Sequence, residues 1–173
     1  MDLCSHIRDV PDFPKEGIVF KDITPLLADP AALKETVAQI AEKFRGAGVD
    51  LVASVEARGF IFGPAVAMEL GAGFVPVRKP GKLPCETREM TYELEYGTDT
   101  VQMHADAVKP GQKVLLVDDL IATGGTIEAT ARLVEEMGGE VAGMAFLIEL
   151  AFLKPRERLA GRRIESLIVV DGE

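Results

Sequence analysis

The sequence predicts an α/β protein with a mostly parallel central sheet flanked by helices. Three observations carry that expectation. Short apolar runs alternate with amphipathic segments of helical period. No Pro/Gly/Ser-rich linker or internal repeat divides the chain. One fully apolar run ends in paired acids and then a glycine turn. Strand and helix in alternation imply parallel pairing, because a crossover helix returns the chain to the same end of the sheet. At 173 residues the chain is the size of one domain with a sizeable core.

The first helix is expected at Asp29-Pro30, where Asp can cap and Pro suits the first helical position. Leu33, Val37, Ile40, Ala41 and Phe44 then recur at helical spacing until Gly46 and Gly48 stop it. Residues 51–55 read as a buried strand, 60–70 as a helix ended by Gly71, and 74–77 as a second strand. Over 78–88 the chain changes character, since Pro80, Gly81 and Pro84 break regular structure among basic side chains. Strands at 92–96 and 100–103 flank Gly97-Thr98-Asp99 as a hairpin. An apolar strand at 113–117, a helix at 126–137, and strands at 141–150 and 167–170 complete the pattern. In such sheets ligands bind beyond the carboxyl ends of the strands.

Charge and composition narrow the function. Acidic residues number 28 against 19 basic, a net charge of −9. That balance argues against nucleic acid or an anionic membrane as partner, because both need a basic surface. No apolar run reaches the ~20 residues of a membrane helix, and residues 1–8 lack the features of a secretion signal. The two cysteines, Cys4 and Cys85, make neither a disulfide framework nor a metal pair, so a reducing cytoplasm is the expected location. His6 and His104 have no nucleophile or metal spacing, and the methionines read as core filler.

The most informative segment is Val114-Leu115-Leu116-Val117-Asp118-Asp119-Leu120-Ile121-Ala122-Thr123-Gly124-Gly125-Thr126. Ala122, Thr123, Gly124, Gly125 and Thr126 can turn backbone N–H groups toward one point, at a helix start with its positive dipole end. That suits a phosphate dianion. The segment has neither the Gly-Lys-Ser/Thr of a P-loop nor a GxGxxG fingerprint. Asp118 and Asp119 would repel the phosphate, so they should face something else, and vicinal ribose hydroxyls fit. A solvated strand end with an ordinary glycine turn is the blander reading.

On this string the chain resembles the type I phosphoribosyltransferase family. The resemblance implies that residues 122–126 hold the 5′-phosphate of phosphoribosyl pyrophosphate and that Asp118 and Asp119 hold its ribose. It also implies the family's fold, with an N-terminal base-recognition hood at 1–28 and a mobile catalytic loop at 79–96, all in one domain over 1–173.

Further segments are similar to the adenine phosphoribosyltransferases within that family. One is Phe13-Pro14-Lys15-Glu16-Gly17-Ile18-Val19-Phe20-Lys21-Asp22-Ile23-Thr24-Pro25. Phe20 offers a flat apolar face to a purine, and the resemblance assigns the base edge to backbone around Val19 and Lys21. Lys21 stands where many members carry Arg, which is tolerable if the contact is through backbone. Periodicity alone would pack this segment into the core.

Glu56-Ala57-Arg58-Gly59 follows a strand and opens a helix. Arg58 there needs an anionic partner, either pyrophosphate or a carboxylate such as Glu56. The family places its pyrophosphate loop here, often with a non-proline cis peptide. Arg78-Lys79-Pro80-Gly81-Lys82 is the densest cationic run of an acidic chain. By resemblance Lys79 and Lys82 meet pyrophosphate, while Arg78 acts across a homodimer interface.

In Tyr92-Glu93-Leu94-Glu95-Tyr96-Gly97, Glu95 can serve as general acid or base once the loop closes, and Tyr96 can reach the sugar-phosphate. Alternation alone makes Glu95 an outward-facing strand residue. The implied reaction joins adenine to phosphoribosyl pyrophosphate, giving AMP and pyrophosphate. Arg58 and Glu95 are the catalytic candidates, and Mg2+ is held mainly by substrate oxygens rather than by protein ligands. Two other readings remain: a phosphoribosyltransferase for xanthine, hypoxanthine or guanine, and a non-catalytic sensor of phosphoribosyl pyrophosphate. The Phe20 segment opposes the first. The acidity and the retained Arg58, Lys82 and Glu95 oppose the second.

Overall fold

The computed structural model describes residues 1–94 and 97–172. Strands β1 (Arg8–Val10) and β2 (Phe20–Asp22) pair antiparallel at the N-terminus and lead into helix α1 (Thr24–Ala28). Helix α2 (Pro30–Phe44) starts where Asp29 accepts hydrogen bonds from the N–H groups of Ala31 (2.8 Å) and Ala32 (3.1 Å). Strand β3 (Leu51–Val55), helix α3 (Gly59–Leu70) and strand β4 (Gly73–Val77) follow. A hairpin of β5 (Thr87–Glu93) and β6 (Thr98–His104) precedes strand β7 (Lys113–Ile121) and helix α4 (Gly125–Glu136). Strand β8 (Glu140–Leu150), the short helix α5 (Pro155–Arg158) and strand β9 (Ile164–Val170) end the fold.

The main sheet has five strands in the order β4-β3-β7-β8-β9, all parallel. Alternation along its central strand sorts two cores. Leu115 and Val117 join a cluster with residues of α1, α2 and α3, including Leu26, Ile40, Phe44, Phe62 and Val66. Val114 and Leu116 join a second cluster with Ile127, Leu133 and Val134 of α4 and Tyr92, Val101 and Met103 of the hairpin. The hairpin therefore shares with α4 the covering of one face. Leu3 and Ile23 are buried in the first cluster, which ties the N-terminal segment onto α2 and α3.

The observed elements shift several expectations. Glu93 pairs with Thr98, so Thr98 and Asp99 belong to β6 rather than to the turn expected at 97–99. Residues 87 and 88 already lie in β5, so strand occupies 87–93 of the region expected to be a mobile loop. Met90, expected as core filler, and the buried Tyr92, expected in a strand, both pack into the α4-side core. Glu95 and Tyr96 lie outside the described residues.

Strand order reverses beside β3: the chain leaves it for β4 on one side and returns as β7 on the other. Pairing of β3 with β7 ends at Ala53↔Leu116, while β7 continues against β8 as far as Ile121↔Glu149. The two strands part at their carboxyl ends, and a crevice opens at that switch point.

Candidate active site

A cleft of about 450 Å³ fills the crevice, walled by the ends of β3 and β7, residues 122–126 and the hairpin. One side is the β7–α4 connection. Gly124 caps α4 with φ of 86°, a left-handed conformation that suits a residue without Cβ. A Cβ there would also come within 3.4 Å of Leu159 and 3.6 Å of Pro155, which back the loop from α5. Ala122, Thr123, Gly124, Gly125 and Thr126 all line the cleft. The first N–H groups of α4 have no partners within the helix, so this surface presents donors to an anion.

Asp118 and Asp119 stand just before that turn. The Asp119 N–H donates to Asp118 Oδ1 at 2.8 Å. Burial, with the charge of Asp119 second, pushes the Asp118 carboxyl well above the usual carboxylate range. Gly59 makes the close approach feasible: a Cβ there would lie 2.9 Å from Asp118 Oδ1 and 3.3 Å from the Val117 carbonyl. Arg58, at the start of α3, forms an ion pair with Asp119 (Nε to Oδ2, 2.8 Å) and lies over the Phe20 ring at 5.3 Å. Asp119 is thus the carboxylate that holds Arg58, and Glu56 is engaged elsewhere. Phe13 meets Phe20 edge-on at 5.2 Å.

The opposite wall is held by ion pairs. Glu56 accepts from the Lys79 N–H (2.7 Å) and from Arg78 Nη2 (3.0 Å) and Nε (3.3 Å). The Lys79 hydrogen bond, followed by those of Arg78, outweighs burial and holds the Glu56 carboxyl below its ordinary range. The Glu56–Ala57 peptide is cis, where the resemblance implied such a bond. Lys79 Nζ pairs with Asp99 Oδ2, with the Tyr92 hydroxyl 3.4 Å away. That hydroxyl reaches Asp99 Oδ2 (3.2 Å) and Thr126 Oγ1 (3.0 Å), linking the hairpin to the glycine turn.

The expected site residues divide accordingly. Arg58, Lys79, Asp118, Asp119 and residues 122–126 converge on the cleft. Arg78 is drawn to Glu56 within its own chain, and Lys82 lies exposed outside the cleft lining. Val19 and Lys21 also lie outside it, and Phe20 joins it only through Arg58. The Lys21 ammonium is taken by Asp9 across the N-terminal hairpin at 2.7 Å, so only its backbone is left for a base.

The Phosphoribosyl transferase domain family matches residues 22–164. An adenine phosphoribosyltransferase of Acidobacterium capsulatum is 57% identical over 166 residues, 96% of this chain and 92% of the relative. The crystal structure of adenine phosphoribosyltransferase from Thermoanaerobacter pseudethanolicus matches with a TM-score of 0.95 at 55% identity, covering 98% of both chains. The chain belongs to the adenine phosphoribosyltransferase family. The Saccharomyces cerevisiae member, solved with adenine and an imino-altritol bisphosphate, matches with a TM-score of 0.90 at 39% identity over 96% of each chain.

Against the family's expected site, the additions are Tyr92 and Asp99. With the turn set at 97–99, Asp99 counted as a turn residue, and its partner across the hairpin stayed hidden. Register supplies the missing signal. Tyr92 pairs with Asp99 across the hairpin, between the pairs Thr91↔Thr100 and Glu93↔Thr98.

Proposed function

We propose that this chain works in purine salvage, moving the 5-phosphoribosyl group from phosphoribosyl pyrophosphate to adenine. The bond between ribose C1 and pyrophosphate oxygen breaks, the bond from adenine N9 to C1 forms, and the N9 proton leaves to a base. AMP and pyrophosphate are the products. One observation carries the reading: paired carboxylates run directly into a glycine-built anion turn, and Arg58 joins those carboxylates to Phe20.

The roles follow from chemistry. The N–H groups and hydroxyls of 122–126 hold the 5′-phosphate, while Asp118 and Asp119 accept from the ribose hydroxyls. Arg58, freed from Asp119, and Lys79 neutralise the departing pyrophosphate, with Lys82 and Arg78 nearby in sequence. Phe20 stacks on adenine, and backbone at Val19 and Lys21 reads its edge. Glu95 manages the N9 proton and Tyr96 meets the sugar-phosphate after closure of 79–96, which also excludes water.

Magnesium fits this donor set as a companion of the substrate. Asp118 and Asp119, side by side in the cleft lining, would accept hydrogen bonds from the ion's water ligands. Bound so, it supplies charge neutralisation to pyrophosphate.

The protein is proposed to work in the cytoplasm, without nucleic acid or membrane. Among the described residues no helix is long and apolar enough to cross a membrane. A homodimer is proposed on the outer face of α3, where Ile61 and Met68 stand two turns apart, 39% and 83% exposed.

The deciding experiment supplies magnesium and phosphoribosyl pyrophosphate with each purine base in turn. AMP from adenine is the expected product. A preference for guanine, hypoxanthine or xanthine, or no monophosphate at all, would defeat the assignment.

A further inference from the structure

Lys79 is proposed above as a pyrophosphate ligand, yet in the free protein its ammonium already has a partner. Asp99 Oδ2 holds it, with the Tyr92 hydroxyl beside it at 3.4 Å and the Tyr92 ring at 5.8 Å. Both charges are about two-thirds covered: the side chains are 37% and 32% exposed. A half-sheltered ammonium needs a counter-charge, because desolvation disfavours it alone. Burial is the largest influence on Lys79 and opposes its charge; the hydrogen bond to Asp99, aided by Tyr92, overcomes it and keeps the group above an ordinary lysine.

A carboxylate lining a cleft meant for a polyanion is nonetheless a repulsive element. Asp99 has further partners that would keep it ionised without Lys79. The Thr100 N–H donates to Oδ1 at 2.8 Å, and the Tyr92 hydroxyl reaches Oδ2 at 3.2 Å. Tyr92 in turn is fixed through Thr126, at the mouth of the phosphate turn. Lys79 can therefore leave while Asp99 stays in place.

We propose that Asp99 is an exchange counter-ion: it holds Lys79 until pyrophosphate displaces it, and it reclaims Lys79 when pyrophosphate departs. Asp99 is then a positioning residue acting through Lys79, and Tyr92 is the post that fixes it. This rests on the reading of the cleft as a phosphoribosyl pyrophosphate site and deepens it. It predicts that removing a carboxylate from the wall tightens ligand binding. A merely structural Asp99 would do the reverse, because its loss would loosen the hairpin and the wall.

The test is calorimetric titration of the intact protein with inorganic pyrophosphate in magnesium buffer. Asp99→Asn should bind about three- to fivefold more tightly, the scale of a partly exposed ion pair. Asp99→Ser should show the same gain, and serves if the first variant folds poorly. Asp99→Glu should return affinity toward that of the unmodified protein. In Lys79→Ala the gain from adding Asp99→Asn should shrink. Steady-state assays with adenine should show a lower KM for phosphoribosyl pyrophosphate without a rise in kcat, since product is held longer. Weaker or unchanged pyrophosphate binding in both Asp99→Asn and Asp99→Ser, with binding lost in Lys79→Ala, would overturn the exchange and leave the site reading standing. Unaltered binding in Lys79→Ala would instead overturn the site reading and the exchange with it.

Discussion

The two walls of the cleft are built in opposite ways. The phosphate wall at 122–126 is backbone, shaped by Gly124 and backed by Pro155 and Leu159. The facing wall is side chain: Arg78 on Glu56 and Lys79 on Asp99, with Arg58 reaching from the start of α3 across to Asp119. Backbone donors at a helix start need no counter-charge and can wait for an anion. Side-chain cations in a sheltered cleft cannot, so internal carboxylates hold them. The difference teaches that half of this site is set by the fold and half must exchange partners for substrate to bind.

The largest effects should come from groups with no substitute. Glu95→Gln should slow the chemical step by about 10²–10⁴-fold, the usual contribution of general acid–base catalysis, with much less change in phosphoribosyl pyrophosphate affinity. Single-turnover kinetics give the check, since product release can mask chemistry in the steady state. A normal chemical step would remove Glu95 from proton transfer. Asp118→Asn with Asp119→Asn should cut kcat/KM by about a hundredfold or more, as preorganised charge is lost at the ribose. Circular dichroism should stay native, because the strand around them is apolar. Full activity in that double variant would leave the carboxylates as ordinary strand-end acids.

Phe20→Ala should raise the KM for adenine by about tenfold, the scale of one lost base–aromatic stack, and spare phosphoribosyl pyrophosphate. Equal losses for both substrates would mean that Phe20 acts only by supporting Arg58.

The smallest effect is on stability. The Asp118 carboxyl is raised in the folded protein, chiefly by burial and then by Asp119. A raised folded value means that the unfolded chain ionises first. Ionisation therefore costs the fold nothing below the ordinary aspartate range and progressively more as pH climbs toward the raised value. Asp118→Asn should lift the melting temperature of the free protein at neutral pH by about 2–4 °C, the shift that ~1 kcal/mol gives at this size. That gain should fade near pH 4. A gain that grows on acidification would contradict the sign.

The same contrast governs how much the sequence revealed. The phosphate wall was legible, because an apolar strand, two acids and a glycine turn are contiguous at 114–126. Helices at 30–44 and 60–70 were legible too, the first from periodicity after Asp29 and the second as an apolar run ended by Gly71. The facing wall was not. Its ion pairs join residues 20 or more positions apart, such as Lys79 with Asp99 and Arg78 with Glu56. Sequence gives the charges but not which acid each cation meets. The short strands at 8–10 and 20–22 went unread for a related reason, since neither contains a residue buried enough to impose a period. The strand expected at 92–96 is found as β5 at 87–93, where Tyr92 alone is buried and so little marks the strand's start.

One comparison tests the two-wall claim most directly: crystal structures of the protein free and bound to phosphoribosyl pyrophosphate with magnesium. Residues 118–126 should superpose to within about 1 Å, as in preorganised sites, while Arg58 leaves Asp119 and Lys79 leaves Asp99 for the pyrophosphate. A rearranged 122–126 turn beside ion pairs that stay intact would contradict it.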